Sequence, residues 1–202
     1  RMNKIVIASN NQHKINEFNK ILGREDVKFI SQSELNITEA AETGLTFVEN
    51  AILKARNACL LSGMPSIADD SGIEVDALSG RPGIYSARYA GDNCDDYANN
   101  KLLLKELSNV PFERRNARYH CAIVFLSKHD CSMPKIFNAT WEGVIGSKEI
   151  GDNGFGYDPL FFLPTLNCTA AELSEDEKNT ISHRGKALNL FKKEIKEIIL
   201  KY

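Results

Sequence analysis

The 202-residue sequence contains no apolar run close to the length of about 20 residues that spans a bilayer. It also contains no internal repeat, no low-complexity stretch and no linker long enough to separate independent domains. These absences predict one domain over residues 1–202 that does not enter a membrane. The composition, 43% hydrophobic and 26% charged residues, is typical of a globular protein with a full buried core.

Closely spaced cysteines and an excess of positive charge are also missing. The five cysteines are an odd number, lie far apart and form no C-x-x-C pair, which favours reduced thiols over disulfides or a metal cluster. The net charge of −2 argues against the broad basic surface that binds polynucleotides irrespective of sequence. A few well-placed lysines would still be enough to bind a small anionic ligand.

We expect no secretory signal peptide, because the chain leads directly into the β-branched run Lys4–Ala8. Together with the reduced cysteines, this predicts a cytoplasmic location.

Hydrophobic periodicity predicts an α/β fold. Apolar residues at helical spacing predict helices over Gln12–Leu22, Thr46–Leu61, Asp95–Leu107 and from Ser174 onward. Alternating or β-branched runs predict strands over Lys4–Ser9, Val27–Ser31, Ser66–Asp69, Ile73–Asp76, Arg118–Leu126 and Lys135–Ile145. Thr46 and Ser174 each precede a glutamate by three residues, which is the pattern of a capping box. Because strands and helices do not alternate strictly, we expect a mixed sheet flanked by helices.

The run Ile67–Gly72 places two adjacent carboxylates, Asp69 and Asp70, directly after apolar strand residues. One interpretation is an acidic turn between two short strands, since Asp-Ser-Gly is common turn chemistry. The other is a site that holds Mg²⁺ over a phosphate, since a desolvated carboxylate is costly unless it is paired or bound to a cation. The run by itself leaves both interpretations open.

A second polar segment, Ser9–Lys14, lies between the first predicted strand and the first predicted helix. Helix N-termini attract anions, and the hydroxyl, amide and ammonium groups of this segment add donors. The alternative is that Ser9 or Asn10 simply caps the helix. The segment lacks the glycine spacing of a Walker A loop.

A third segment, Asp152–Pro159, has glycines on both sides of Phe155, which would let the ring approach a ligand and stack on a base. Alternatively, this is a surface loop whose phenylalanine is tucked into the core. Lys178, His183 and Arg184 follow near a helix start, where a solvated charged face is the simpler explanation.

Five ordered motifs together resemble the inosine triphosphate pyrophosphatase family. They are SNNQHK, ETGLTFVENAILKA from Glu42 to Ala55, ADDSGIEVDALSGRPGIYSARYAG from Ala68 to Gly91, GFGYDPLF from Gly154 to Phe161, and ELSEDEKNTISHRGKAL from Glu172 to Leu188. The resemblance extends from Lys4 to about Leu190. These enzymes hydrolyse non-standard purine nucleoside triphosphates, such as ITP, dITP and XTP, to the monophosphate and pyrophosphate.

The resemblance implies an Mg²⁺-dependent enzyme with two lobes and a central active-site cleft. It implies that Glu42 and Asp70 hold Mg²⁺ with Asp69 close by, that Asp70 accepts a proton from the attacking water, and that Ser71 contacts the substrate. The triphosphate would be bound by Lys54 and by the first motif: Ser9, Asn10, Asn11, Gln12, His13 and Lys14.

The resemblance also implies how the base is recognised. Four residues would surround the nucleoside, with Phe155 stacking on the base: Phe155, Gly156, Tyr157 and Asp158. Three cationic or imidazole side chains would read the 6-oxo edge of the purine: Lys178, His183 and Arg184. The resemblance further implies a homodimer, since the family is typically homodimeric, and the stretch Ser86–Tyr89 with its neighbouring loop is a candidate dimer surface.

Two other functions fit parts of the pattern. A pyrophosphatase for modified pyrimidine triphosphates would share the carboxylates and lysines but would not need His183 and Arg184. A non-enzymatic nucleotide sensor would keep the Ser9–Lys14 segment and Phe155 but could dispense with Asp70. The complete acidic set and the S-H-R-G run favour the purine enzyme over both.

Overall fold

The computed structural model describes residues 4–24 and 26–201. Within them, the α-helices are α1 (Gln12–Leu22), α2 (Phe47–Ser62), α3 (Asp96–Glu106), α4 (Glu175–Ile181) and α5 (His183–Lys201). The strands are β1 (Lys4–Ile7), β2 (Lys28–Ser31), β3 (Ser66–Val75), β4 (Asn116–Leu126), β5 (Lys135–Ile145), β6 (Phe161–Leu163) and β7 (Cys168–Thr169). Across these described ranges, no helix is both long and apolar enough to cross a membrane.

All seven strands form one sheet in the order β2-β1-β3-β4-β5-β6-β7. Strand β1 runs parallel to β2 and to β3, with Lys4 opposite Lys28 and Val6 opposite Ser66. Strand β6 runs antiparallel to both β5 and β7. The sheet is therefore mixed, which confirms the predicted α/β class.

The chain divides into two compact units. The first unit contains the chain up to Asp70, residues 121–139 and the chain from Arg184 onward, and the second contains residues 71–120 and 140–183. Strands β3, β4 and β5 each have residues in both units. The single domain and the central cleft stay predictions.

The core of the first unit has two parts. In one, Phe18 of α1 and Phe191 of α5 are fully buried with Phe125 of β4. In the other, the buried residues that α2 contributes have small side chains, and its fully buried alanines Ala51 and Ala55 lie in a cluster with strand residues. Alanine lets a helix backbone lie close to a sheet, which brings Lys54, the residue before Ala55, near Asp70 in the middle of β3.

The core of the second unit is aromatic. Tyr119 and Phe161 have ring centroids 4.5 Å apart, and Trp141 lies 5.1 Å from Phe161. Leu103 and Leu107, at the end of α3, are buried in the same cluster. These contacts tie α3 to the part of the sheet that contains β4, β5 and β6.

The predicted acidic turn is wrong, because β3 continues without a break from Ser66 to Val75. Side chains alternate between the two faces of a strand, so Asp69 and Asp70 point to opposite faces. Each carboxylate has cationic partners on its own face, and these pairs offset the cost of desolvating two carboxylates inside a strand.

The helix signals are largely confirmed. Helix α1 has the predicted bounds, Thr46 caps α2, and Ser174 forms a complete capping box with Glu177 at the start of α4. At the start of α2, the Glu49 carboxylate accepts a hydrogen bond from the Leu45 N–H, whereas in a capping box it would accept one from the Thr46 N–H. The predicted last helix is interrupted at Ser182, so that α4 and α5 are separate.

Candidate active site

The segment Ser9–Lys14 forms the N-terminus of α1. Asn11 is the N-cap, and its Oδ1 accepts hydrogen bonds from the N–H groups of His13 and Lys14 at 3.0 and 3.2 Å. The capping role expected of Ser9 or Asn10 thus falls to Asn11, while the Ser9 hydroxyl accepts the Asn11 N–H. Lys14 lies one turn into the helix, with Nζ 2.6 Å from Asp69 Oδ1. Two further residues of this segment are exposed: Asn10 and Gln12.

Asp69 lies at the centre of a buried charge network. The Arg184 Nε donates to Asp69 Oδ2 at 3.2 Å, and Arg184 also pairs with the buried Glu17 at 2.6 Å. The Cys121 thiol donates to the same Asp69 oxygen at 3.0 Å. Burial alone would raise the Asp69 pKa, but the charges of Arg184 and Lys14 hold it well below its usual value. Asp69 is therefore ionised at neutral pH, with both oxygens engaged.

Asp70 has a different environment. Its Oδ1 accepts a hydrogen bond from Lys54 Nζ at 2.9 Å, and the same ammonium pairs with Glu42 at 2.9 Å and donates to the Asp69 carbonyl at 3.1 Å. No described residue forms a hydrogen bond with Asp70 Oδ2, although that atom is buried. Burial raises the Asp70 pKa to about 6 in spite of the charges of Lys54 and Lys14. This value suits a proton acceptor that works near neutral pH.

The carboxylates around Lys54 fit Mg²⁺ as part of a substrate complex. The described residues contain no group of three or more His, Cys, Asp or Glu side chains that could hold a metal by themselves. Mg²⁺ rarely needs such a group, because it binds one or two carboxylates and completes its shell with water and phosphate oxygens. Glu42 and Asp70 meet at one ammonium, and Asp70 keeps an oxygen without a described partner. The charged side chains of this site carry one more negative than positive charge. Three of them are cations, Lys14, Lys54 and Arg184, and four are carboxylates, Glu17, Glu42, Asp69 and Asp70.

In the second unit, the loop that contains Phe155 is shaped by two glycines and one carboxylate. Gly154 and Gly156 have φ angles of +70° and +62°, a region that glycine enters without strain. Asp158 Oδ2 accepts the Phe155 N–H at 3.1 Å and the Lys178 ammonium at 2.7 Å. The Lys178 Nζ lies 4.6 Å from the centroid of the half-buried Phe155 ring. The aromatic ring, the carboxylate and the ammonium therefore form one fixed group.

His183 is buried against aromatic rings. Its imidazole stacks on Tyr119, with centroids 4.5 Å apart and planes 7° apart, and lies 6.1 Å from Trp141. The Tyr119 hydroxyl donates to Asp158 Oδ1 at 2.9 Å. His183 is thus linked through Tyr119 to the carboxylate that holds Lys178.

Two other predicted residues lie apart from this group. The Tyr157 ring is buried, and its hydroxyl donates to the Ser86 carbonyl at 2.5 Å. Burial raises the Tyr157 pKa, so the hydroxyl stays protonated. Ser71 is half-buried in β3. Tyr157 therefore anchors the loop through the core, and its contact with substrate stays a prediction.

Residues 5–194 match the model of the Ham1 family, and this match covers most of the chain. The chain belongs to the Ham1 family. Two curated relatives are dITP/XTP pyrophosphatases. The one from Photorhabdus laumondii subsp. laumondii is 47% identical over 189 residues, covering 94% of this chain and 96% of its own length. The one from Vibrio cholerae serotype O1 is 50% identical over 196 residues, covering 97% of this chain and 98% of its own.

A solved structure agrees with the family assignment. The Ham1 protein from Coxiella burnetii superposes with a TM-score of 0.90 at 43% identity, covering 97% of this chain and all of that one. The fold described above is therefore that of a Ham1 protein.

In this Ham1 chain, the predicted site residues form two groups. The first unit brings together five residues that are predicted to bind phosphate and metal: Lys14, Glu42, Lys54, Asp69 and Asp70. The second unit brings together four residues that are predicted to bind the base: Phe155, Asp158, Lys178 and His183. Arg184, predicted to join the second group, binds two carboxylates of the first unit.

Sequence reasoning missed three residues of these groups. Glu17 and Cys121 support Arg184 and Asp69, and Tyr119 links His183 to Asp158. The position of Glu17 gave one usable signal, because a carboxylate between Ile15 and Phe18 in the helical pattern lies near the apolar face. The positions of Cys121 and Tyr119 gave none, since both are ordinary residues of a buried strand.

Proposed function

We propose that this protein hydrolyses non-standard purine nucleoside triphosphates such as dITP, XTP and ITP to the monophosphate and pyrophosphate. The observation that carries the proposal is the state of Asp70, a buried carboxylate with a pKa of about 6, a lysine partner and an oxygen without a described partner. The relatives named dITP/XTP pyrophosphatase, about half identical over nearly the whole chain, support the same reaction.

In the proposed reaction, Asp70 accepts a proton from the water that attacks the α phosphorus. The ammonium groups of Lys14 and Lys54 neutralise charge on the triphosphate. An ammonium has three donors, so Lys14 can share them between Asp69 and a phosphate, whereas Lys54 exchanges one of its three protein acceptors for a phosphate oxygen. Asp69 and Arg184 hold Lys14 in position through the buried network. The proton acceptor and the cations thus come from three separate elements of one unit.

We propose that Mg²⁺ is required and that Glu42 and Asp70 hold it. The bound ion would neutralise phosphate charge and make a water molecule more acidic. Asp69 is not part of this proposed ligand set, because both of its oxygens are engaged by Lys14, Arg184 and Cys121.

Base selection is proposed for the second group. Phe155 would stack on the purine, and Lys178 and His183 would donate hydrogen bonds to its 6-oxo group. Adenine presents an amino donor at that position, so it could not accept these hydrogen bonds, a mismatch that can reduce the specificity constant by a factor of about 10⁴. We propose a supporting role for Arg184, since its guanidinium already binds two carboxylates.

We further propose a cytoplasmic homodimer. All five cysteines are free thiols, which suits a reducing compartment. The second unit has a groove of about 390 Å³ beside the predicted Ser86–Tyr89 surface, lined by Arg81, Pro82, Tyr85, Arg88, Tyr89, Asp92, Leu102 and Glu106. Because the groove holds side chains of both charge signs, the arginines of a second copy related by two-fold symmetry can pair with the acids of the first.

Sedimentation tests the proposed dimer. The parent protein should sediment as a dimer that Tyr85→Glu converts to a monomer, and a monomeric parent would refute the proposal.

A substrate panel tests the proposed reaction. The protein is incubated with dITP, XTP, ITP, ATP, GTP and dUTP, with Mg²⁺ or with a chelator, beside the Asp70→Asn variant as matched control. We expect hydrolysis of the first three only with Mg²⁺, slow or no turnover of the others, and an inactive variant. Equal turnover of ATP, preference for dUTP, or hydrolysis that persists in the chelator would contradict the proposal.

A further inference from the structure

Two side chains on α3, one helical turn apart, hold both polar backbone groups of a single glycine. Asp96 Oδ2 accepts the Gly156 N–H at 2.8 Å, and Asn100 Nδ2 donates to the Gly156 carbonyl at 3.0 Å. Residues four apart lie on the same face of a helix, so α3 presents an acceptor and a donor at the spacing of one residue's backbone.

This contact fixes the backbone of Phe155. The peptide unit after Phe155 contains the Gly156 N–H, which Asp96 holds, and the peptide unit before it contains the Phe155 N–H, which Asp158 holds. Both torsions of Phe155 are therefore set by hydrogen bonds to side chains. Gly156 itself has a left-handed φ of +62°, which the two contacts from α3 keep in place.

Asn100 is itself held in one orientation. It is only 2% exposed, and its Nδ2 also donates to Glu149 Oε1 at 2.8 Å. A buried amide with two acceptors on one nitrogen has little rotational freedom, so it can define the position of Gly156. A site built on a helix in this way is more rigid than a loop alone.

We propose that Asp96 and Asn100 are positioning residues for base binding, because they set the direction in which Phe155 presents its ring. This inference rests on the proposed function of Phe155 as the stacking residue. A misdirected ring loses contact with the base, so removal of the Asp96 contact raises KM for nucleotides. It leaves kcat nearly unchanged, because Asp96 touches neither the water nor the phosphates in the proposed reaction.

The neighbouring residue, Asp95, provides a matched control. Asp95 is the N-cap of α3, and its Oδ1 accepts the Ala98 N–H at 2.8 Å. Asp95→Ala and Asp96→Ala each remove one exposed carboxylate from the same helix end, but only the second removes a bond to Gly156. Asp96→Asn keeps an oxygen that can accept the Gly156 N–H and serves as the conservative rescue.

The experiment measures KM and kcat for dITP, the melting temperature, and the binding of deoxyinosine monophosphate and of pyrophosphate by calorimetry. For Asp96→Ala we expect KM and the dissociation constant of the monophosphate to rise about tenfold, with kcat within about twofold and pyrophosphate binding unchanged. Asp96→Asn should stay within about twofold of the parent. Asp95→Ala should lower the melting temperature without raising KM.

Three results would overturn the inference: an unchanged KM in Asp96→Ala, an equal rise of KM in Asp95→Ala, or equal weakening of monophosphate and pyrophosphate binding. Failure of the proposed function would look different. The parent protein would then leave dITP intact, while the calorimetric comparison of the monophosphate with pyrophosphate would still test the positioning role.

Discussion

The adjacent carboxyl groups of Asp69 and Asp70 in β3 have pKa values that are shifted in opposite directions. Asp69 faces Arg184 and Lys14 and has a pKa well below its usual value, whereas the pKa of Asp70 is raised to about 6 by burial. The sequence singled out both residues, because two acids directly after apolar strand residues are costly. It could not assign their roles, since the cations that decide them come from positions 14, 54 and 184, which only the fold brings together.

The raised pKa of Asp70 predicts that this residue destabilises the protein at alkaline pH. A carboxyl group with a folded pKa near 6 and an ordinary value of 3.8 favours folding below about pH 4, and this contribution is lost as the pH rises through 6. Asp70→Asn mimics the protonated form and should lower the turnover rate by at least about 10²-fold. At pH 8 it should also be more stable than the parent, by up to about 3 kcal/mol, since one pKa unit is worth about 1.4 kcal/mol.

Urea unfolding in the presence of a chelator checks this at pH 8 and at pH 4. The gain in stability should be present at pH 8 and nearly absent at pH 4. A variant that is less stable than the parent at pH 8, or one that keeps a third of the activity, would show that Asp70 is a structural ion-pair partner.

His183 and Arg184, adjacent in the chain, should respond differently to truncation. His183→Ala removes a proposed base-edge donor, so the preference for ITP over ATP should shrink by about one to two powers of ten, the value of a hydrogen bond of about 1.5–3 kcal/mol. Arg184→Ala removes the buried guanidinium that pairs with both Asp69 and Glu17, and removal of one partner of a buried ion pair costs about 3–5 kcal/mol of stability.

Chemical denaturation and the ITP/ATP ratio of kcat/KM separate the two effects. Equal loss of both substrates in His183→Ala, with the preference kept, would assign the imidazole to folding instead. An Arg184→Ala variant as stable as the parent would mean that the network around Asp69 contributes little.

At the level of elements, local signals located helices better than the key strand. Helix α1 and the caps Thr46 and Ser174 were predictable because capping depends on residues within one turn. The unbroken strand β3 was not, because its Asp-Ser-Gly sequence favours a turn locally, whereas neighbouring strands and cations from distant parts of the chain keep it extended. The break at Ser182 was not predicted either, since neither proline nor glycine stands at that position.

The seven-residue helix α4 should depend strongly on its cap. Ser174 accepts the Glu177 N–H and Glu177 accepts the Ser174 N–H, and α4 contains Lys178. Ser174→Ala should lower the free energy of unfolding by about 1 kcal/mol. Thr180→Ala, an exposed change in the same helix, should stay within about 0.5 kcal/mol of the parent. Equal effects of the two substitutions in urea unfolding would show that the cap is not needed.

At the level of the whole molecule, the mixed sheet was predictable from the pattern of strands, but the arrangement of the site was not. The phosphate and metal group, with its supporting residues Cys121 and Arg184, comes from three segments of the chain in one compact unit, and the base group, with Tyr119, comes from two segments in the other. Composition and periodicity carry no information about such long-range assembly. Only the order of five motifs pointed to it, through the resemblance to a family.

The central claim is that water attacks the α phosphorus with Asp70 as proton acceptor. The most direct measurement is ³¹P NMR of the reaction with dITP and Mg²⁺ in ¹⁸O-labelled water. The account predicts pyrophosphate as the only inorganic product and the heavy oxygen in deoxyinosine monophosphate. Orthophosphate with a nucleoside diphosphate, or heavy oxygen in pyrophosphate, would contradict it.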